Sequence, residues 1–196
     1  MSEVEGAPPQ EDERVRLFVA LELPEPIRAA LIAWREHALR GERYIRSLGA
    51  ESLHVTLCFL GWRDGAEIAA IAAACGAVAA EPAPALSLGN PRWLPPRRPR
   101  VLAVELLDRD GVLTRAQALL SQVLATGGWY QPEKRPYLPH VTVARTARGR
   151  PPARDPLPPP AGTEFYASRV TLYRSRLLRS GARYEPLAMV ELRPAR

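Results

Sequence analysis

The chain is poor in the residues that usually build metal or redox centres. Among 196 residues it has 2 cysteines, 3 histidines and a single lysine, Lys134. Cys58 and Cys75 are too few and too oddly spaced for a zinc or dithiol signature, and isolated thiols fit a reducing, cytoplasmic setting. Long apolar runs are also missing. The longest, Ala69 to Ala80, is alanine-rich, broken by Gly76, and short of the ~20 residues a membrane-spanning helix needs. The opening stretch, MSEVEGAPPQEDER, is acidic and polar, unlike a secretory signal. A soluble cytoplasmic protein is therefore expected.

Arginine and proline are abundant instead. Lysine and arginine total 27 against 21 acidic residues, a formal charge of +6. Guanidinium groups match phosphate geometry, so an arginine-rich surface points to a polyanionic partner; a general Arg/Ala/Pro bias would give the same excess. The 21 prolines cluster. The acidic, proline-containing residues 1–13 are expected to be a disordered tail, and 14–196 one domain of two lobes. ARGRPPARDPLPPPAG, at 147–162, reads as a surface loop, either a linker or a flap over a binding cleft.

Periodicity divides the remainder. VRLFVALEL (15–23), LHVTLCFLG (53–61), PRVLAVELL (99–107) and YLPHVTVAR (137–145) read as strands. ALSLGNPRWL (85–94) reads as a broken strand, and two more are expected near 164–175 and 183–193. Ile27, Ala30, Leu31, Trp34 and Ala38 mark a helix closed by Gly41. Residues 66–80 form an alanine-rich helix. Asp110 is placed to cap a third helix, with Leu113, Ala116, Leu119, Leu120 and Val123 on one face.

Two of the three histidines open the same string: His54-Val55-Thr56 and His140-Val141-Thr142. Each follows a strand with a late glutamate, Glu22 or Glu105, and a helix ended by glycine. Glu22 precedes His54 by 32 positions and Glu105 precedes His140 by 35. The repeat predicts an α+β fold of two pseudo-twofold-related β-α-β lobes, with antiparallel sheets around a central cleft and helices outside.

Along a strand, residues i and i+2 share a face. Each string thus presents an imidazole and a hydroxyl together, backed by aliphatic residues. One such string is an ordinary feature of a core strand, because threonine favours strands. Two at matching points of a repeat suggest one shared site. Two imidazoles can divide proton donation and acceptance, and two hydroxyls can donate to phosphate oxygens. That set suits in-line displacement at phosphorus without a metal or other cofactor. A zinc site would need further ligands; only Cys58, by strict alternation on the His54 face, lies at ligand spacing.

These residues, with RLFVALELP, ESLHVTLCFLG, RPRVLAVEL, RPYLPHVTVAR and LYRSRLLRSGARYEPLA, resemble the two-histidine (2H) phosphoesterases. The branch is that of RNA 2′,3′-cyclic phosphodiesterases, first described as 2′-5′ RNA ligases. The resemblance runs from about Arg16 to Leu192. It implies a bilobal α+β fold and opening of a 2′,3′-cyclic phosphate at an RNA end to a 2′-phosphate. It implies His54 as proton donor, His140 as proton acceptor, and Thr56 and Thr142 as holders of the phosphate oxygens. Ligation to a 2′-5′ linkage, or RNA binding without catalysis, are the alternatives. The family often has lysine where this chain has Cys58. Its aromatic-proline stretch before the first motif is here RYIRSLGAESLH, with Tyr44 as the aromatic candidate.

Further substrate contacts are expected from Arg135 and Arg145, which flank the second string, and from Tyr137 and Phe59. Strict alternation would turn Arg145 away from His140, so its participation requires the strand to end or bulge first. Trp93, Trp129 and Tyr130 lie near basic stretches and are weaker stacking candidates. PRWLPPRRPRV (91–101) is the densest basic cluster and could steer RNA. Trp34 is expected in the core and His37 on the surface. The expected partner is RNA with a 2′,3′-cyclic phosphate end, or a cyclic nucleotide, bound by a monomer with no membrane attachment.

Overall fold

A computed structural model describes residues 14–147, 156–162, 164–178 and 181–195. The tail at 1–13 and most of the arginine-containing part of the 147–162 loop lie outside the described residues. The elements are β1 (Val15–Glu22), α1 (Glu25–Ala38), β2 (Ile45–Ser47), β3 (His54–Arg63), α2 (Ile68–Cys75), β4 (Ala85–Leu94), β5 (Val101–Leu107), α3 (Val112–Thr126), β6 (His140–Thr146), β7 (Glu164–Tyr166), β8 (Arg169–Leu178) and β9 (Gly181–Glu191).

The strands form one antiparallel path, β7-β4-β5-β6-β3-β1-β8-β9, with β2 attached to β6. The halves, β4-β5-β6 and β3-β1-β8, meet through a single registered pair, Val55 opposite Val141. Val55 and Val141 hold the same place in the two strings, so the pseudo-twofold passes between them. Both are fully buried.

The strands of the two β-α-β repeats pair as expected, β1 with β3 and β5 with β6, while the lobes exchange the parts around them. Strand β4 follows the first string but pairs with β5, and β8 follows the second but pairs with β1. The helices cross over as well: α1 follows β1 yet packs on β6, while α3 follows β5 yet packs on β3. The reason is burial. Each strand of the joint hides its aliphatic face under a helix, and the helix within reach is the one launched from the other lobe. Helix α1 contributes Ile27, Leu31 and Arg35 to the interior; α3 contributes Leu113, Ala116, Leu120 and Leu124. These one-turn spacings make a stripe that covers a sheet face.

Three local expectations differ. The strand expected over 164–175 is two, β7 and β8, on opposite halves. The cap of α3 is Asp108 rather than Asp110: its carboxylate accepts from Leu113 N at 3.2 Å and Thr114 N at 2.8 Å, across a turn with Gly111 at φ 66°. Both aspartates precede the apolar stripe, and the left-handed glycine brings the earlier one round. Trp34 is only half-buried, and its Nε1 donates to Pro158 O at 2.9 Å, tying the described end of the 147–162 loop to α1. His37 is exposed.

Candidate active site

Glu22 pairs with His54 and Ala20 with Thr56 across β1-β3; Glu105 pairs with His140 and Ala103 with Thr142 across β5-β6. Residues directly opposite in antiparallel strands share a face. Because Val55 and Val141 point into the core, His54, Thr56, His140 and Thr142 all lie on the other face. The antiparallel sense of the joint sets His54 beside Thr142 and Thr56 beside His140. The two strings thus make one patch of two imidazoles and two hydroxyls, all half-buried.

Each string then bulges at the same point. Leu57 has no partner between Thr56 and Cys58, and Val143 has none between Thr142 and Ala144. An extra residue reverses alternation beyond it. The burial patterns record this identically, with two successive buried residues, Leu57-Cys58 and Val143-Ala144, followed by an exposed one. The first consequence is a correction: Cys58 does not share the face of His54 but is fully buried in the core. Burial pushes its thiol up to about 12. The second is that Phe59 and Arg145, at equivalent positions, both turn onto the imidazole face.

The surroundings of the two histidines differ. The His54 ring lies 4.9 Å from Phe18, 5.2 Å from Tyr184 and 6.3 Å from Tyr173. Burial among these rings, and then the charges of His140 and Arg145, push its pKa down to about 4. His140 Nδ1 lies 2.7 Å from Leu138 O. A carbonyl only accepts, so the proton sits on Nδ1 and, in the neutral ring, the lone pair sits on Nε2.

The glutamates are anchored differently too. Glu22 accepts from Thr171 at 2.6 Å and Tyr173 at 2.9 Å, with Arg169 at 3.6 Å. Burial and then this hydrogen bond raise the Tyr173 phenol to about 12. Glu105 is paired with Arg92 at 2.5 Å. Arg46 is opposite Arg145 across β2-β6. One half of the face therefore gathers the aromatic rings (Phe18, Phe59, Tyr173, Tyr184), with the Arg16 guanidinium on Phe59, and the other is basic without rings of this kind (Arg46, Arg92, Arg145).

Of the expected contacts, Phe59 is exposed, with the Arg16 guanidinium 4.5 Å above its ring. Arg145 is exposed on the same face. Arg135 lies in the loop before β6, exposed and 3.5 Å from Glu133. Tyr137 is packed against the core, and its hydroxyl donates to Thr56 O at 3.2 Å, so it braces the first string from the second half. Burial raises its pKa. Sequence reading passed over Phe18, Tyr184 and Arg46, and named Arg92 only within the basic cluster 91–101. For Phe18 the clue was the alternation that puts it on the face of Glu22; nothing local marks the other two. Among the described residues, no three His, Cys, Asp or Glu side chains gather as metal ligands. A separate concavity of about 390 Å³, lined by Pro82, Tyr166 and Arg193 among others, contains none of the residues of this patch.

A bilobal antiparallel sheet carrying paired His-x-Thr strings on one face defines a two-histidine phosphoesterase. The chain belongs to the 2′-5′ RNA ligase superfamily, whose family model matches residues 23–178. It is 33% identical over 174 residues to the RNA 2′,3′-cyclic phosphodiesterase of Escherichia coli K12, covering 88% of this chain and 93% of that protein. It is 30% identical over 186 residues to the Bacillus subtilis protein of the same name, covering 92% and 98%. The crystal structure of E. coli LigT in apo form superposes with a TM-score of 0.78 at 31% identity, over 92% of this chain and 99% of that one. LigT has also been crystallised with 3′-AMP, at a TM-score of 0.76 and the same identity and coverage.

Proposed function

We propose that the protein hydrolyses 2′,3′-cyclic phosphodiester ends of RNA to 2′-phosphomonoesters, without a metal, by histidine acid–base catalysis. The observation that carries this is the joining of the two His-x-Thr strings on one face by the Val55–Val141 pair. Support comes from the names of the E. coli and B. subtilis relatives and from the 3′-AMP complex of LigT.

His140 is the base. With its Nδ1 proton on Leu138 O, Nε2 takes a proton from water as the water oxygen bonds to phosphorus. The bond from phosphorus to the 3′ oxygen breaks, and His54 gives that oxygen a proton. Thr56 and Thr142 donate to the non-bridging oxygens, and Arg145 offsets their charge. Phe59 offers its ring to a base. In the protein alone His54, at about 4, is neutral near pH 7. A bound phosphodiester anion opposes the charge of Arg145 and favours the protonated form of His54, so substrate binding raises the basicity that burial lowers.

The test is incubation with an oligonucleotide ending in a 2′,3′-cyclic phosphate, with and without EDTA. A 2′-phosphate product unaffected by EDTA is expected; a 3′-phosphate, or loss of turnover on chelation, overturns the reading. Adding an acceptor with a free 5′-hydroxyl separates hydrolysis from ligation, which attacks the same phosphorus in reverse. Binding of the oligonucleotide without turnover would leave an RNA-binding module. The protein is taken to act as a monomer in the cytoplasm, on RNA or nucleotide-sized cyclic phosphates, with residues 14–196 as one catalytic unit. Among the described residues no helix is long and apolar enough to cross a membrane.

A further inference from the structure

The two bulges carry a feature that the chemistry above does not use. A bulged residue leaves the ladder, and its carbonyl then needs another partner. At Val143 the carbonyl accepts from Leu48 N at 3.0 Å and from the Arg35 guanidinium at 3.1 Å. The same Arg35 nitrogen also donates to Leu48 O at 2.5 Å. At Leu57 the carbonyl accepts from Gln117 Nε2 at 3.3 Å. Arg35 lies on α1 and Gln117 on α3, the two helices that cross over to the opposite lobe's string. The bulge, its position and its helix-borne donor are repeated in both halves.

We infer that Arg35 and Gln117 are positioning residues: by holding the Val143 and Leu57 carbonyls, they fix the bulges that turn Arg145 and Phe59 onto the imidazole face. Arg35 is 5% exposed and its Nε has no hydrogen-bond partner. Burying a guanidinium is costly when its hydrogen bonds are incomplete, and an apolar side chain would fill the same space at less cost. The site therefore retains a fork that can reach two carbonyls of β6 and the segment leading from β2. Gln117 does the lighter task for a neutral, aromatic contact. Without these donors each string is free to revert to plain alternation, which would send Arg145 and Phe59 to the core side and bring Ala144 and Cys58 out.

The inference rests on Arg145 and Phe59 touching substrate, so the test is a pair of double-mutant cycles read by steady-state kinetics. Arg35→Met is expected to raise KM about tenfold for a cyclic-phosphate oligonucleotide, with a smaller change in kcat. In an Arg145→Ala background the same substitution should change KM less than about twofold. Arg35→Lys, which keeps a donor, should recover part of the loss. Gln117→Leu should behave likewise with Phe59→Ala, and should remain testable if Arg35→Met fails to fold, because Gln117 is neutral and half-buried. Strict additivity in the cycles, or a loss confined to kcat, would overturn the inference. An Arg145→Ala protein with unchanged KM would instead overturn the substrate-contact reading of Arg145; the Gln117–Phe59 cycle would then decide the positioning inference for its own half.

Discussion

Turned about the Val55–Val141 pair, Phe18, Ala20, Glu22, His54, Thr56 and Phe59 fall on Val101, Ala103, Glu105, His140, Thr142 and Arg145. The backbone of the two halves is shared down to the bulge, while the side chains around it are not. His54 is packed among Phe18, Tyr173 and Tyr184, which excludes water and depresses its basicity. His140 is pinned through Nδ1 by a carbonyl, which leaves one ring nitrogen to act as a base. The equivalents at the bulge are an aromatic ring and a guanidinium. A duplicated frame thus gives two positions with the same reach in different surroundings, burial among rings on one side and a hydrogen bond on the other; the proposed mechanism gives them different tasks.

The largest effects are expected at the imidazoles. His54→Ala and His140→Ala should each lower turnover by about 10²–10⁴-fold, the range for loss of a general acid or base, with the circular dichroism spectrum retained. Full activity in either variant would make the halves redundant rather than complementary. Next come the bulge positions. Arg145→Ala should cost about 2 kcal/mol of binding with any cyclic phosphate, because it removes a charge-assisted contact. Phe59→Ala should cost about 1–3 kcal/mol, by loss of base stacking, and only for substrates that place a base against its ring. Binding titrations with a cyclic mononucleotide and with an oligonucleotide separate the two.

A further effect is expected in pH dependence. The unfolded imidazole titrates near ~6.5, whereas folded His54 stays neutral down to about 4. The unfolded state therefore binds more protons between these values, and stability falls as pH drops through that window, by at most about 3 kcal/mol. Thermal melts at pH 7 and pH 4 should show a smaller difference in His54→Asn than in the parent protein. An NMR titration should find the His54 ring protonating near pH 4, and moving upward with inorganic phosphate. Smallest of all, Asp108→Ala should cost about 1 kcal/mol by uncapping α3, with Asp110→Ala close to neutral, as read by denaturant midpoints.

Much of this was legible in the residues, for identifiable reasons. The four long apolar strands and the stripes of α1 and α3 are local patterns, and period alone exposes them. The His-x-Thr strings were legible because strand alternation converts spacing directly into a shared face. The bulges were not, since Leu57-Cys58 and Val143-Ala144 are pairs of small or apolar residues that suit a strand on either face. That is why Cys58 was expected beside His54, and why Arg145 was left conditional on a bulge. The exchange of strands and helices between lobes has no local signature either. Glu164–Tyr166 and Arg169–Leu178 are near neighbours in sequence, and only the sheet separates them to opposite halves. Tyr137 looked like a stacking residue because it adjoins the second string; its hydroxyl instead reaches the backbone of the first.

The division of labour between the two imidazoles is tested most directly by changing what the leaving group requires. An aryl phosphodiester with a weakly basic leaving group needs no proton on departure, so the acid becomes dispensable while the base does not. Against that substrate, His54→Ala should regain most of the activity it loses on a cyclic-phosphate oligonucleotide, and His140→Ala should not. Equal rescue of both variants, or rescue of His140→Ala alone, would contradict the assignment of acid to the aromatic half and base to the basic one.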